Sequence, residues 1–266
     1  MTSGIVQDNW ALPNAYDYFM GRWSHLIARE FVEWLEPESG LRWFEMGCGT
    51  GALTSAILEH ADPLSVLACE PSETLLKLAR ERISDQRVTF SVGSAADFPR
   101  PASKQDMFVS GLVLNFIPEP KIALESIAQF LVPGGIVGAY VWDYAGGMEF
   151  LRAFWDVASI IDPAAAELDE GKRFPLCAPD PLKLLFQSAG LKNVETAPLE
   201  IVTRFKNFAD YWEPFLGGTG PAPSYVASLD KTSQAQLAET LRDRLSPDEG
   251  AGFDLAARAW AVRGVA

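Results

Sequence analysis

Acids and glycines, set at regular places between apolar runs, are the residues of this chain whose types and spacing can do chemistry. Glu45 sits near the end of an apolar run, 41–46, and the chain then enters Gly47-Cys48-Gly49-Thr50-Gly51 before a helical pattern over 52–60. Glycines there permit backbone angles that a side chain forbids and let a ligand press against the main chain. The amides that open the following helix are unpaired and carry partial positive charge. Glu70 ends a second apolar run, at the spacing of roughly 20 residues where nucleotide-type folds hold a ribose diol. Asp97, followed by Phe98, ends a third such segment. Glu45 is a poor neighbour for a pyrophosphate and a good one for an ammonium group. The turn also satisfies the dinucleotide pattern G-x-G-x-x-A, so the glycines alone do not choose between ligands.

The elements that must position these residues follow from the apolar patterning. Strands are expected at 41–46, 64–70, 87–93, 106–112 and 136–144, with helices between them over 52–60, 72–84 and 121–131. Alternation of this kind means a parallel sheet with right-handed crossovers, and its ligands bind at the carboxyl ends of the strands. Val132-Pro133-Gly134-Gly135 forms a tight break before the fifth strand. Before the glycine turn, Ser24 is expected to cap a helix whose apolar face includes Leu26, Ile27, Phe31, Trp34 and Leu35. After the fifth strand come a helical stretch, 149–161, an acidic turn, 167–173, and a helix over 179–190 closed by Gly190. Two further strands, 194–205 and 255–264, enclose a helical excursion interrupted by a Gly- and Pro-rich segment, and they suit an antiparallel edge.

Composition narrows the classes. With 266 residues and 48% hydrophobic content the chain can build a full core. No apolar run approaches the roughly 20 residues that span a bilayer, and the first residues lack a secretory pattern. Three cysteines, Cys48, Cys69 and Cys177, cannot all pair and form no metal-type C-x-x-C, so no metal is expected and a reducing cytoplasmic setting fits. A net charge of −13 without a basic cluster argues against nucleic acid as a partner.

Glu45 to Gly51, Glu70, Ala96-Asp97-Phe98, the stretch 106–118 and the V-P-G-G break occur in the order found in class I S-adenosylmethionine-dependent methyltransferases. The chain resembles that family over most of its length, and in particular its ubiquinone/menaquinone-type and small-molecule branch. The resemblance implies an α/β, Rossmann-like doubly wound sheet of seven strands, mostly parallel with an antiparallel last strand, helices on both faces and helical lid insertions. It implies a single domain made of an N-terminal helical cover (1–40), a cofactor-binding core (41–144), a lid or substrate insertion (145–180) and a C-terminal part of the same sheet (181–266). The expected cofactor is S-adenosyl-L-methionine, with S-adenosyl-L-homocysteine as product.

On that resemblance Glu45, Gly47, Cys48 and Gly49 face the amino-acid head, Glu70 the ribose, Pro71 or Ser72 the adenine and ribose, and Ala96, Asp97 and Phe98 the adenine. Gly111, Leu112 and Asn115 lie near the sulfonium, and Tyr16, Met20, Arg22 and Trp23 close the site, Arg22 toward the cofactor carboxylate. Transfer is an in-line displacement onto a small-molecule acceptor, for which Phe116, Trp142, Tyr144, Trp155 and Trp212 are candidate contacts. A general base is optional, with His25, Asp143, Tyr144 and Glu213 as candidates. Asn115-Phe116-Ile117-Pro118 departs from the Asn/Asp-Pro-Pro-aromatic pattern of enzymes that methylate nucleobase amines. A methyltransferase of proteins or tRNA, a non-catalytic binder of the cofactor and a nicotinamide-dependent Rossmann oxidoreductase are the other readings. Either a monomer or a homodimer is compatible with the sequence.

Overall fold

A computed structural model describes residues 17–218, 220–245, 248 and 250–266. A π-turn over Asp17–Gly21 runs directly into helix α1, Arg22–Leu35. Ser24 therefore does not cap a helix: it lies inside α1 and is buried. A hydroxyl caps only where the first amides lack partners, and here the preceding turn has already begun the coil. There follow β1 (Arg42–Met46), α2 (Ala52–His60), β2 (Ser65–Glu70), α3 (Glu73–Arg82), β3 (Val88–Val92) and β4 (Gln105–Gly111). A 3-10 turn, Leu114–Phe116, leads to α4 (Pro120–Ala128) and β5 (Leu131–Trp142). There follow α5 (Glu149–Ile161), a 3-10 helix (Pro163–Glu167), α6 (Glu170–Arg173), α7 (Pro179–Ser188), β6 (Lys192–Phe205), α8 (Phe208–Trp212), a second 3-10 helix (Glu213–Gly217), α9 (Pro221–Ser228), α10 (Lys231–Leu245) and β7 (Phe253–Val265).

The strands form one seven-stranded sheet in the order β3-β2-β1-β4-β5-β7-β6. β1 pairs in parallel with β2 and β4, and β2 with β3 and β4 with β5 do the same. β7 runs antiparallel to β5, from Ile136 opposite Val265 to Trp142 opposite Ala259. The order reverses between β1 and β4, so the two strand ends diverge there and leave room for a ligand. The Val132–Gly135 break is an irregularity within β5: Gln105 pairs with Leu131 and Met107 with Ile136, with Gly134 at φ +83° between them.

Two compact units divide the chain. One comprises Trp23–Asp143, Pro175–Ile201 and Arg258–Ala266 and holds most of the sheet. Its helix α1 turns Ile27, Ala28, Phe31 and Val32 inward, and the Phe31 ring lies 4.6 Å from that of Tyr140. The close approach needs Gly138 in β5, where a Cβ would meet Phe31 Cζ at 3.1 Å. The other unit comprises the described residues up to Arg22, Tyr144–Phe174 and Val202–Ala257. Aromatic rings make its core: Phe154 stacks on Phe215 at 4.6 Å, Phe19 meets Phe215 edge-on at 5.1 Å, and the Tyr211 hydroxyl donates to the Phe150 carbonyl at 2.9 Å. Among the described residues no helix is long and apolar enough to cross a membrane.

Candidate functional site

β1 delivers its last residues to the carboxyl edge of the sheet beside the point where the strand order reverses. Trp43 and Phe44 are buried by the core, so the chain leaves the strand in a fixed direction. It then turns sharply at Gly47, with φ at +75°. A Cβ on Gly47 would lie 2.6 Å from Val113 Cγ2, so only glycine lets the turn and the loop after β4 touch. The amides of Gly47 and Cys48 both donate to the Cys69 carbonyl, at 2.8 and 3.0 Å, and this ties the turn to the end of β2. Gly49, at φ +54°, has nothing within 4 Å of where a Cβ would stand, so its backbone borders open space.

Two buried carboxyl groups flank this turn. Glu45 is 1% exposed and accepts a hydrogen bond from Thr54 Oγ1, on α2, at 2.5 Å. Burial pushes its carboxyl up to about 7, opposed by the Thr54 bond and reinforced by the negative charge of Glu70. Glu70 accepts from the Gly49 amide at 3.1 Å and from the Ser72 amide at 3.0 Å. Its carboxyl is also raised, by burial first, against the pull of those two amides. Neither carboxylate is in an ion pair among the described residues. The two buried carboxyls thus flank the glycine turn with no cation beside them among the described residues. Ser72 also caps α3 by accepting from the Leu75 amide at 3.4 Å, and Pro71 before it is exposed.

Asp97 is exposed beyond β3 on a tight turn, in which the Ser94 amide donates to its carbonyl at 2.9 Å. Ala96 is exposed beside it. The Phe98 ring, half-buried, packs between Phe44 at 5.6 Å and Phe130 at 5.7 Å. At the end of β4, Gly111 lies against Tyr140, whose hydroxyl would be 2.6 Å from a Cβ there. Leu112 takes a left-handed conformation, φ +61°, with its amide bonded to the Tyr140 carbonyl at 2.8 Å. That reversal carries Val113 under Gly47 and leads into the 3-10 turn holding Asn115, whose Nδ2 is shielded from water and lacks a hydrogen-bond partner among the described residues. Phe116 is 38% exposed. Cys48 is buried, and burial drives its thiol far above the ordinary range, so it offers an apolar contact and not a nucleophile.

The other expected residues are placed differently. Tyr16 lies outside the described residues. Trp23 is buried in α1. In the second unit Met20 is buried, and Arg22 is held by Asp210 at 2.9 Å with its guanidinium 5.0 Å over the Phe205 ring. Trp142, Tyr144 and Trp155 are buried as core residues. The Trp155 indole donates to the buried carboxyl of Glu170, which burial pushes up to about 7. Trp212 is half-buried and stacks on Phe208 and Phe215 at 6.4 and 6.0 Å. His25 is exposed on α1, Glu213 accepts from the Tyr18 hydroxyl at 3.1 Å, and Asp143 is paired with Arg258 at 2.7 Å, so none of the three stands out as a base. Thr54, Val113 and Glu170 were not foreseen. Thr54 alone carried a signal, since it faces back toward Glu45 from the first turn of α2.

Residues 44–138 match the family model described as a methyltransferase domain. The chain is 28% identical over 124 residues to a chloroplastic 2-methyl-6-phytyl-1,4-hydroquinone methyltransferase 1 of Oryza sativa subsp. japonica, covering 46% of this chain and 38% of that protein. It is 26% identical over 173 residues to a demethylmenaquinone methyltransferase of Staphylococcus carnosus, covering 60% of this chain and 72% of that protein. The chain therefore spans well under half of the rice relative's length. In fold it is similar to phosphoethanolamine N-methyltransferase 2 of Haemonchus contortus, solved with S-adenosyl-L-methionine, with a TM-score of 0.57 and 16% identity over 95% of this chain and 56% of that one. Residues 44–138 are thus similar to a methyltransferase domain, and the seven-stranded sheet with its glycine turn has the fold of class I S-adenosylmethionine-dependent methyltransferases.

Proposed function

We propose that the chain transfers a methyl group from S-adenosyl-L-methionine to a small acceptor with a quinol-type ring. The observation that carries the cofactor assignment is the pair of buried carboxyls, Glu45 and Glu70, beside the open backbone at Gly49, neither of them paired with a cation among the described residues. Such a pair is costly in a ligand-free protein and is relieved by a ligand bearing positive charge. When bound, the cofactor supplies a methyl group activated on a sulfonium sulfur.

The chain's own residues orient and enclose it. Glu45, steadied by Thr54, offers negative charge to the cofactor's ammonium group, and Gly47 and Gly49 admit its amino-acid part against the backbone. Glu70 keeps two carboxylate oxygens in place through Gly49 and Ser72, with lone pairs left for a ribose diol. Asp97 is available to the adenine amino group. Alignment and exclusion of water supply most of the catalysis such a transfer needs. The quinol-type acceptor is supported by the names of the rice and staphylococcal relatives, and an acidic chain suits a tRNA acceptor poorly.

Two measurements test the proposal. Calorimetry compares S-adenosyl-L-methionine with nicotinamide dinucleotide, and nicotinamide binding without S-adenosyl-L-methionine binding overturns the cofactor assignment. Incubation with methyl-labelled cofactor compares a metabolite extract with a macromolecular one. Label confined to macromolecules overturns the small-molecule acceptor.

A further inference from the structure

Where β6 ends and β7 begins, the second unit carries a cleft of about 440 Å³ lined by Arg204, Phe205, Lys206, Gly252, Phe253 and Asp254. That volume falls within the range of small-molecule sites, and none of the residues assigned to the cofactor lines it. Its apolar wall is built in advance. The Phe253 ring stacks on Phe205 at 5.3 Å with 24° between the planes. Phe205 is in turn fixed by the Arg22 guanidinium, 5.0 Å from its ring, and by Tyr211, edge-on at 5.4 Å. Phe205 is buried and Phe253 only half-buried, so part of Phe253 stays open. Gly252 lets the two chain segments meet, because a Cβ there would lie 3.0 Å from the Phe205 carbonyl oxygen and 3.2 Å from that of Lys206. A wall already ordered costs little entropy when a ligand settles on it.

The charges of the cleft do not cancel. Arg204 pairs side-on with Asp254, Nε donating to Oδ1 at 2.9 Å and Nη2 to Oδ2 at 3.0 Å. That pair occupies the carboxylate and leaves Arg204 Nη1 without a bond among the described residues. Lys206 is exposed, and its backbone amide donates to Asp210 at 3.0 Å, but its ammonium has no partner among the described residues. Asp210 is itself held by Arg22 at 2.9 Å. Two cations and one carboxylate therefore line the cleft, an excess of one positive charge in a chain whose total is −13. A cationic ligand is repelled there, and a doubly charged phosphate leaves one of its charges uncompensated. We propose that this cleft binds a small aromatic carboxylate, with Lys206 Nζ and Arg204 Nη1 donating to the carboxylate and the ligand ring lying against Phe253. The single negative charge matches the single excess positive one, and the open part of Phe253 meets a flat apolar body. The site goes beyond methyl transfer and does not depend on it.

The test titrates the full chain, isotope-labelled at the phenylalanine nitrogens, with 2-naphthoate, the uncharged 2-naphthamide and the non-aromatic cyclohexanecarboxylate. The backbone amide signal of Phe253, identified by its loss in Phe253→Leu, is followed by nitrogen-edited nuclear magnetic resonance. Naphthoate is expected to shift that signal and to bind about tenfold more tightly than either of the others, the scale of one charged hydrogen bond or one ring contact. Lys206→Gln is expected to weaken naphthoate binding by about tenfold while leaving naphthamide within about twofold. Lys206→Arg should keep most of the affinity, and both variants of this exposed residue should melt with the wild type. No naphthoate binding up to about 5 mM, naphthamide bound as tightly as naphthoate, a Phe253 signal that does not move, or unchanged naphthoate affinity in Lys206→Gln each overturns the inference.

Discussion

Replacing Glu45 by glutamine should stabilise the ligand-free protein while weakening its hold on the cofactor. Burial raises the Glu45 carboxyl from an ordinary 4.5 to about 7. The folded chain thus binds this proton more tightly than the unfolded chain, and folding takes up a proton between those two values. Stability is fully present below the lower value, declines as pH rises through the window and levels off above 7. At about 1.4 kcal/mol per pH unit the decline amounts to roughly 3 kcal/mol. Glu45→Gln keeps an acceptor for the Thr54 hydroxyl and carries no charge, so at pH 8 it should regain most of that, on the order of 6–12 °C in melting temperature for a chain of this size. The wild type and the variant should melt alike at pH 5. In calorimetry the wild type should release a proton on binding S-adenosyl-L-methionine near pH 6, with affinity rising about tenfold per pH unit up to 7. The variant should show neither the release nor the slope, and its affinity should be lower throughout. A wild-type melting temperature unchanged from pH 5 to 8, or no gain for the variant at pH 8, would refute the reasoning.

Other substitutions test the remaining parts. Glu70→Ala removes the partner of the Gly49 and Ser72 amides and, on the proposed function, of the ribose, and should weaken S-adenosyl-L-methionine binding by about 100-fold in calorimetry, the scale of losing charged hydrogen bonds. Gly47→Ala forces a methyl group onto Val113 at a left-handed φ, and should cost about 2–3 kcal/mol in denaturant unfolding. Adding Val113→Ala should restore the part due to the clash, and the strain of the backbone should remain. Trp155→Phe withdraws the indole donor from the buried Glu170 and should cost about 1–3 kcal/mol in thermal melts. Because that carboxyl is protonated below about 7, the loss should be larger at pH 8.5 than at pH 6.

What could be read from the residues depended on how local the cause was. The strand, glycine turn and helix around 41–60 were legible because glycines and apolar periodicity act over a few residues, and α2 indeed spans Ala52–His60. The alternation of strands and helices led to the sheet for the same reason. Ser24 misled because the π-turn before it has no simple signature, and a serine ahead of an apolar stripe looks the same inside a helix as at its start. Phe98, Trp142 and Trp155 show a second limit. An aromatic side chain bears the same pattern whether it lines a pocket or fills a core, and only the contacts with Phe44, Phe130 and Glu170 separate the two. Arg22 shows a third, since its partner Asp210 lies 188 positions away in the chain. Glu170 was hidden inside an acidic stretch whose charges suggested a solvated turn.

The place of β7 in the sheet has a consequence for how the molecule is made. Among the described residues β6 has β7 as its only neighbour in the sheet, so until β7 exists β6 has no strand there to pair with, and β5 lacks a neighbour on that side. Ribosomes deliver roughly 5–20 residues per second, so several seconds separate the emergence of Phe205 from that of Phe253. During that interval a fourteen-residue strand, apolar at every second position over much of its length, waits with open backbone groups. Such an edge invites pairing with another nascent chain. β6 carries Lys192, Glu195, Glu200 and Arg204 at exposed positions, and these charges guard it while it waits. Neutralising them should lower the soluble yield in synthesis far more than the stability of the finished protein.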